Sequence, residues 1–389
     1  MALPLEGLKV VDCSRLLPGP YATLLLADLG AQVDKVEDPE GGDYIRQMPP
    51  LLGETSALHL GLNRNKRSVV IDLKSKDGVA ALQAMTDRAD VLVESFRPGV
   101  MDRLGLGQDA LRKRNPRLIY CSISGFGNTG PDRLKAGHDL GYLARAGVLG
   151  YGGEAGGAPA VPGVQIADVG GGSLFAVVGI LAALQERTRT GQGRFLDVSM
   201  TDGATAFLHM HLAARLAMGP QGTPLSRGVE ALNGGYACYG TYRCADGKYL
   251  AVGALEPKFF AKLCAALERP ELVELGYDTA GGGAAKAKQA LQEIFLTRTR
   301  DAWAQALGPL DVCVEPVLEG DEVLHDPQLR ARGLFVDGGS QVHLKTPLDF
   351  GPMPVRPAPA LGEHTAQVLT EAGLSQAQVA ALTKTAGQG

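Results

Sequence analysis

The first half of the chain alternates short apolar runs with helical runs, and this alternation restricts it to an α/β fold. Strand, helix and strand joined by short connections form the repeating unit of a parallel sheet. Strands are predicted at Leu8–Asp12, Gln32–Val36, Ser68–Leu73, Val91–Glu94, Leu118–Ile123 and Phe195–Met200. Helices are predicted at Tyr21–Leu29, Gly78–Arg88, Gly170–Arg189 and Asp202–Met218. The sequence therefore predicts a Rossmann-like large domain built on a parallel sheet.

The loop after the first strand excludes the commonest ligands of such a sheet. The segment Cys13–Pro20 lacks the glycines of a GxGxxG turn, so it does not predict a dinucleotide site. The sequence has no Walker motif and no metal-ligand spacing, and we expect no metal site. The 52 glycines are therefore expected to serve turns and close packing.

A change of pattern marks a second, smaller domain. The run Gly219–Pro224 is the strongest linker signal in the chain. Beyond it, a hairpin turn at Ala245–Gly247 joins two strand-like runs, which indicates an antiparallel sheet. The other predicted elements are helices at Lys258–Leu267 and Ala284–Leu307 and a strand at Val312–Val317. We predict a large domain at 1–218, a small α+β domain at 219–325, and a segment at 326–389 that returns to the large domain.

Composition is that of an ordinary enzyme of 389 residues. A net charge of −4 argues against a protein that binds nucleic acid or a membrane surface as its main task. The six cysteines are widely spread without a CxxC pair, which indicates reduced thiols. We found no signal-peptide pattern and no run long and apolar enough to span a bilayer, and we expect a cytoplasmic protein without membrane partners.

Asp168 lies just before the long apolar run that starts at Gly170. A carboxylate at or one residue before the N-cap of a helix lies beside backbone N–H groups that have no intrahelical partner. The glycines Gly170–Gly172 have no Cβ, so a ligand carbonyl could approach those N–H groups as in an oxyanion hole. Asp168 could equally be a simple N-cap, and His138 could be a helix-start residue that bonds locally.

Several motifs resemble one known family along nearly the whole chain. They are Leu8–Asp12, Pro18–Ala22, Leu26–Ala31, Asn65–Ser68, Phe96–Val100, Ile119–Gly127 and Gly362–Thr365. Together they look like the family III CoA-transferase superfamily. Within it, Gly137–Asp139, Ile166–Asp168 and Gly253–Pro257 are most similar to the α-methylacyl-CoA racemases.

This resemblance implies the catalytic residues and the assembly. The catalytic groups map to His138, Asp168 and Glu256, and the substrate would be an acyl-CoA thioester, with coenzyme A part of the substrate and no other cofactor. Two chains would interlock as a homodimer, so that Glu256 reaches the site of the other subunit. Glu256 could instead only cap the helix that follows Pro257.

Basic residues flank the strands at positions where α/β sheets bind ligands. Arg64, Lys66 and Arg67 stand just before a strand, and Arg97 stands just after one. The phosphates of CoA suit guanidinium and ammonium groups. We predict these four residues and Tyr142 as the CoA-binding set, with resemblance favouring Lys66 and Arg97. Ordinary solvated surface charge is the alternative for each basic residue.

The chemistry implied is inversion at the α-carbon of the thioester. A base on one face removes the α-proton, an acid on the other face returns one, and hydrogen-bond donors stabilise the enolate oxygen. We predict that His138 and Asp168 flank the α-carbon, that the Asp168 N–H holds the thioester oxygen, and that Glu256 orients His138.

Two other functions remain open on the sequence. In a CoA-transferase, Asp168 would attack the thioester as a nucleophile and form a mixed anhydride. A transferase has no obvious need for His138 or Glu256. By resemblance, Asn233–Tyr236 is also poorer in glycine than the loop that covers the transferase intermediate in relatives. A non-catalytic CoA-ester binding protein would leave the carboxylates with structural duties only.

Overall fold

The computed structural model describes residues 2–219, 226–337, 342–353 and 355–386, with side chains to residue 383. The chain divides into two compact units. Unit 1 comprises Met1–Ala146, Gly163–Phe207 and Gln328–Gly389, and unit 2 comprises Gly147–Pro162 and Leu208–Pro327. The predicted linker at Gly219–Pro224 lies, apart from Gly219, outside the described residues.

The strands of the described residues are β1 (Lys9–Cys13), β2 (Gln32–Glu37), β3 (Leu51–Leu52), β4 (Thr55–Ser56), β5 (Arg67–Val70), β6 (Val91–Glu94), β7 (Ile119–Ser124), β8 (Phe195–Ser199), β9 (Tyr239–Arg243), β10 (Tyr249–Gly253), β11 (Val314–Pro316), β12 (Phe335–Asp337) and β13 (Val342–Leu344).

The helices are α1 (Pro18–Asp28), α2 (Ala57–Asn63), α3 (Lys76–Thr86), α4 (Val100–Arg103), α5 (Gln108–Arg114), α6 (Asp139–Ala146), α7 (Val148–Tyr151), α8 (Phe175–Thr190), α9 (Met200–Ala206), α10 (His209–Ala217), α11 (Pro257–Ala266), α12 (Leu272–Leu275), α13 (Gly283–Phe295), α14 (Arg300–Leu307), α15 (Glu322–His325), α16 (Pro327–Ala331), α17 (Thr365–Glu371) and α18 (Gln376–Ala386). A π-helical segment, Ile166–Leu174, leads directly into α8, and short 3-10 turns occur at Tyr44–Gln47, Ala231–Asn233 and Gly308–Leu310.

Unit 1 contains the predicted parallel sheet. Its six strands run in the order β5-β2-β1-β6-β7-β8, and every pairing is parallel. The fold-class prediction is confirmed. From β1 the chain moves first to β2 on one side and later to β6 on the other, so the strand order reverses at β1. In open α/β sheets, ligands bind beyond the carboxyl ends of the strands at such a reversal.

The C-terminal segment belongs to unit 1 because it covers the outer strand of the sheet. The Gly362–Thr365 motif makes this contact: the N–H of His364 donates to Ser68 O at 3.0 Å, and the Thr365 hydroxyl accepts from the N–H of Val70 at 3.0 Å. Val368 and Leu369 of α17 then join the apolar core formed with α3 and the sheet. The motif therefore has a structural role.

Unit 2 contains a small antiparallel sheet in the order β11-β10-β9. The predicted helix Ala284–Leu307 is two helices, α13 and α14, because the Thr299 side chain accepts the N–H of Ala302 and starts a new helix. The predicted helix Asp202–Met218 is likewise divided, into α9 and α10, by Phe207 and Leu208.

The unit boundaries differ from the predicted ones. The change to the second unit occurs at 207/208 rather than 218/219, and the return occurs at 327/328 rather than 325/326. A segment that the prediction placed in the large domain, Gly147–Pro162, also belongs to unit 2. Six of the 16 residues of this segment are glycine and two are proline. This Gly/Pro-rich run was not interpreted as a domain boundary, because glycine-rich loops also occur within domains.

One helical segment contradicts the statement that no run is long and apolar enough to span a bilayer. Ile166–Thr190 has 25 residues and passes that test by length and composition alone. Core helices of soluble proteins pass the same test. Ala176, Ile180 and Ala183 of α8 are buried, and α8 lies against α1, β7 and β8.

Lys66 is fully buried at the start of β5. Its ammonium group donates to Pro20 O at 2.9 Å, Thr23 Oγ1 at 2.8 Å and Asn63 Oδ1 at 3.0 Å, and it lies 3.2 Å from Asp12 Oδ2. Burial alone would raise the pKa of Asp12, but Lys66 and Lys35 lower it to about 2. This cluster joins the end of β1 to α1 and α2.

We predict that Lys66→Met destabilises the protein by about 3–5 kcal/mol, because it leaves the Asp12 carboxylate buried without its cation. Urea unfolding measures the change. Lys113→Met, at an exposed position on α5, is the matched control and should change the free energy of unfolding by no more than about 0.5 kcal/mol. Equal stability of the two variants would contradict the structural role of Lys66.

Candidate active site

A cavity of about 740 Å³ lies in unit 1 at the carboxyl ends of β1, β6 and β7. Its walls come from the loops that follow these strands, together with the segment around Gly137 and the start of the π-helical segment. The polar and charged side chains of the lining include Arg15, Arg97, Arg133, Lys135, His138 and Asp168. The structure therefore brings His138 and Asp168 together on one cavity.

His138 occupies the N-cap position of α6. Its carbonyl accepts hydrogen bonds from the N–H groups of Gly141 at 2.8 Å and Tyr142 at 3.2 Å, while its imidazole is exposed to the cavity. The phenol of Tyr142 donates to Gly137 O at 2.7 Å. A Cβ at Gly137 would lie 2.6 Å from the Tyr142 ring, so glycine is required there. Tyr142 thus holds the backbone that carries His138.

Asp168 belongs to the first turn of the π-helical segment rather than to an N-cap. The N-cap residue is Gln165, without a side-chain capping bond. One oxygen of the Asp139 carboxylate accepts the N–H of Ala167 at 2.7 Å and the N–H of Asp168 at 2.9 Å. The residue that follows His138 therefore fixes the backbone of Asp168.

The environment of Asp168 changes its acidity. The pKa of Asp168 is raised to about 6. Burial is the largest cause, the nearby Asp139 carboxylate adds to the rise, and His138 opposes it. A carboxyl group with a pKa of about 6 exchanges its proton readily near neutral pH. This is the property expected of a group that acts both as base and as acid.

The predicted oxyanion role of the Asp168 N–H is not supported. That N–H already donates to Asp139, as just described. The space beside the glycines of the segment is also filled by protein atoms. A Cβ at Gly171 would lie 2.5 Å from Met200 O, and a Cβ at Gly172 would lie 2.9 Å from Met200 Cγ. Their lack of a side chain serves close packing against α9, and not the approach of a ligand.

Three of the five predicted CoA-binding residues have other partners. Lys66 is buried in the cluster described above. Arg64 is buried as well, and its guanidinium pairs with Asp28 and donates to Leu344 O at 2.9 Å. Arg67 pairs with Asp34 and Glu371. Arg64 and Lys66 precede β5 and Arg67 is its first residue. The amino ends of the parallel strands lie at the edge of the sheet opposite the cavity.

Arg97 and Tyr142 do line the cavity, and so does Arg15, which was not predicted from the sequence. Burial raises the pKa of the Tyr142 phenol to about 12. The exposed guanidinium of Arg97 lies near enough to oppose this rise. The sequence also did not predict the cavity-lining residues Arg133 and Lys135, or the role of Asp139 in holding the Asp168 backbone. Arg15 follows a strand just as Arg97 does, and Asp139 stands inside the quoted motif, so both carried a usable signal.

Glu256 belongs to unit 2, at the N-cap of α11. Its side chain is exposed and makes no capping hydrogen bond. The alternative that Glu256 acts only as a capping side chain is therefore not supported. Among the described residues, no group of three or more His, Cys, Asp or Glu side chains could hold a metal ion.

Comparison with known proteins decides the family. The family model described as CoA-transferase family III matches residues 5–365. The chain belongs to CoA-transferase family III. The resemblance identified from the motifs is confirmed.

Members of CoA-transferase family III with different activities are similar to this chain. The α-methylacyl-CoA racemase of Mus musculus is 40% identical over 380 residues, which cover 96% of this chain and 95% of the relative. The succinyl-CoA:glutarate CoA-transferase of Homo sapiens is 33% identical over 381 residues, covering 95% of this chain and 86% of the relative. A CAIB/BAIF family protein from Brucella suis has a solved structure that matches with a TM-score of 0.83 at 32% identity, covering 96% of this chain and all of that one.

We predict that Asp139→Asn lowers the pKa of Asp168 in this CoA-transferase family III member. The substitution removes a negative charge, which favours ionisation of Asp168, while the amide oxygen can still accept the two N–H groups. A ¹³C NMR titration of aspartate-labelled protein measures the midpoint, which should be near 6 in the wild type; the signal is assigned by its loss in Asp168→Asn. Asp87→Asn, beside Arg114 on the surface, is the control. An unchanged midpoint in Asp139→Asn would contradict the influence of the Asp139 charge.

Proposed function

We propose that the protein is a racemase of 2-methylacyl-CoA thioesters that acts by removing and returning the α-proton. One observation carries this proposal: an exposed imidazole, His138, and a carboxyl group with a pKa of about 6, Asp168, line the same cavity. Inversion at a carbon requires a proton acceptor on one face and a proton donor on the other, and an imidazole and a carboxyl group can each take either role.

In the proposed reaction His138 and Asp168 stand on opposite faces of the α-carbon. One of them accepts the α-proton, and the electron pair of the C–H bond moves into the enolate with its charge on the thioester oxygen. The other donates a proton to the opposite face, which restores the thioester with inverted configuration. The two groups exchange roles in the reverse direction.

The enolate oxygen needs hydrogen-bond donors, and the start of α6 is the best source of them. The Gly141 and Tyr142 amides donate to His138 O. The amides of Asp139 and Leu140, which come before them, lack intrahelical partners because of their position in the first turn. They would replace the Asp168 N–H of the original prediction, and the positive end of the helix dipole favours negative charge at the same place.

The proposed enzyme is a homodimer in which Glu256 of one chain completes the site of the other. Support comes from apolar side chains that unit 1 leaves exposed: Leu174, Phe175, Val178 and Phe207, of which Val178 is 61% exposed. The Phe175 and Phe207 rings lie 6.2 Å apart, and Leu174 and Val178 stand on the same continuous helical segment as Phe175. Exposed apolar patches mark interaction surfaces. Glu256 would orient His138 and stabilise its protonated form.

The alternative is a CoA-transferase in which Asp168 attacks the thioester carbon. Transferases of CoA-transferase family III are similar to this chain at 33% identity, and an accessible carboxylate suits that reaction. The racemase is favoured because the transferase reaction leaves His138 without a role.

We expect wild-type protein to exchange the α-proton of a chiral 2-methylacyl-CoA for deuterium and to scramble the centre, with no added carboxylate. His138→Ala and Asp168→Ala should each slow this by about 10²–10⁴-fold, the usual contribution of a positioned acid or base. A proton NMR time course in deuterated buffer follows both events. If the α-proton is retained, but a free carboxylate accepts CoA in an Asp168-dependent way, the protein is a transferase.

The dimer is tested by combining two inactive variants. When His138→Ala and Glu256→Gln chains are coexpressed, each mixed dimer contains one site with both residues intact. Activity should then return to about a quarter of the wild-type value, since about half of the dimers are mixed and each has one working site. Each variant expressed alone provides the control. No recovery would contradict a site built from two chains.

A further inference from the structure

Arg15 lies on the loop between β1 and α1 and reaches the cavity beside Arg97. Its guanidinium carbon is 5.3 Å from the centre of the Phe96 ring, and its guanidinium nitrogen is 3.8 Å from the Asp38 carboxylate. The Arg15 and Asp38 side chains are 40% and 26% exposed, so this ion pair is weak and exchangeable. Nothing in the proposed reaction so far gives Arg15 a role.

The backbone of this loop is held in an unusual conformation. Leu16 has a φ of 61°, in the left-handed region that leucine rarely adopts. The Leu16 N–H donates to the Asp43 carboxylate at 3.2 Å, and the Arg15 N–H donates to Ser95 Oγ at 3.1 Å. Strained backbone of this kind persists only where its surroundings impose it.

A buried lysine also holds the loop between β1 and α1. Lys35 of β2 is 1% exposed, and its ammonium group lies 3.0 Å from Asp43 Oδ2 while donating to Ser14 O at 3.0 Å. Burial lowers the pKa of Lys35, but Asp12, Asp43 and Glu37 raise it by more, so the group stays charged. Burying an ammonium group is costly. Both of its contacts lead to the loop that carries Arg15.

We propose that Arg15 binds a phosphate of the CoA moiety and that the buried Lys35–Asp43 ion pair holds its loop in the cavity. The identity of the ligand rests on the proposed function. A guanidinium offers two parallel donors to a phosphate, which binds it more strongly than the single distant Asp38 contact. Arg15 is thus a binding residue, and Lys35 and Asp43 are positioning residues.

Free CoA tests the binding role without any reaction. We expect isothermal titration calorimetry to show about 10- to 100-fold weaker CoA binding for Arg15→Gln, the usual effect of losing a charge-assisted hydrogen bond. The affinity of the variant should also depend less steeply on salt than that of the wild type, because a charge contact is lost. Damage to the fold alone would not flatten the salt dependence.

Two further variants sharpen this experiment. Arg117→Ala, an exposed arginine at the amino end of β7, should bind CoA like the wild type. Asp38→Asn should bind CoA at least as well, because Asp38 competes with the phosphate for Arg15. Wild-type affinity and salt dependence in Arg15→Gln would overturn the proposal. Failure of the wild type itself to bind CoA would instead overturn the proposed function.

The positioning role is tested by a double-mutant cycle. Lys35→Met should weaken CoA binding about as much as Arg15→Gln. The double variant should bind no more weakly than either single variant, because both substitutions remove the same contact between Arg15 and CoA. Additive losses would contradict the positioning role. If Lys35→Met does not fold, Asp43→Asn takes its place in the cycle, since its amide keeps an acceptor for the Leu16 N–H and loses the charge.

Discussion

The candidate site depends on one carboxylate, that of Asp139, which ties together two segments far apart in the sequence. By accepting the N–H groups of Ala167 and Asp168, it fixes the π-helical segment against the start of α6. His138 precedes Asp139 directly, so the same contact sets where the imidazole and the Asp168 carboxyl stand relative to each other. The negative charge of Asp139 also disfavours ionisation of Asp168. One interaction thus controls both geometry and acidity.

Buried ion pairs provide the rigid base beneath these loops. Lys66 with Asp12 joins β1 to α1 and α2, Lys35 with Asp43 supports the loop after β1, and the Arg46 guanidinium holds Glu37 at the end of β2. A buried pair adds little net stability compared with apolar residues, but breaking one is costly. Such pairs therefore favour a single backbone arrangement, which is useful where loops must present Arg15 and Arg97 to a ligand.

Sequence patterns predicted the sheet well because its strands are short apolar runs between clear breaks. Val91–Glu94 was predicted to the residue, and Leu8–Asp12 lies within one residue of the observed Lys9–Cys13. The site was predicted in part: His138, Asp168, Arg97 and Tyr142 do line one cavity. Arg64 and Lys66 were misassigned because a sequence does not reveal whether a cation is buried. The partner of the Asp168 N–H was equally invisible, since Asp139 lies 29 residues away.

The arrangement also explains how one fold can serve both a racemase and a transferase. The α-carbon and the carbonyl carbon of a thioester are neighbouring atoms, so a small change in its placement decides which of them Asp168 meets. At the carbonyl carbon the carboxylate acts as a nucleophile, whereas at the α-carbon it acts as a base. In the proposed reaction this choice would lie with the groups that orient the thioester: the first amides of α6, the residue opposite Asp168, and the cations near the distant end of CoA. In the proposed racemase, His138 stands opposite Asp168, and this placement favours proton transfer at the α-carbon over attack at the carbonyl carbon.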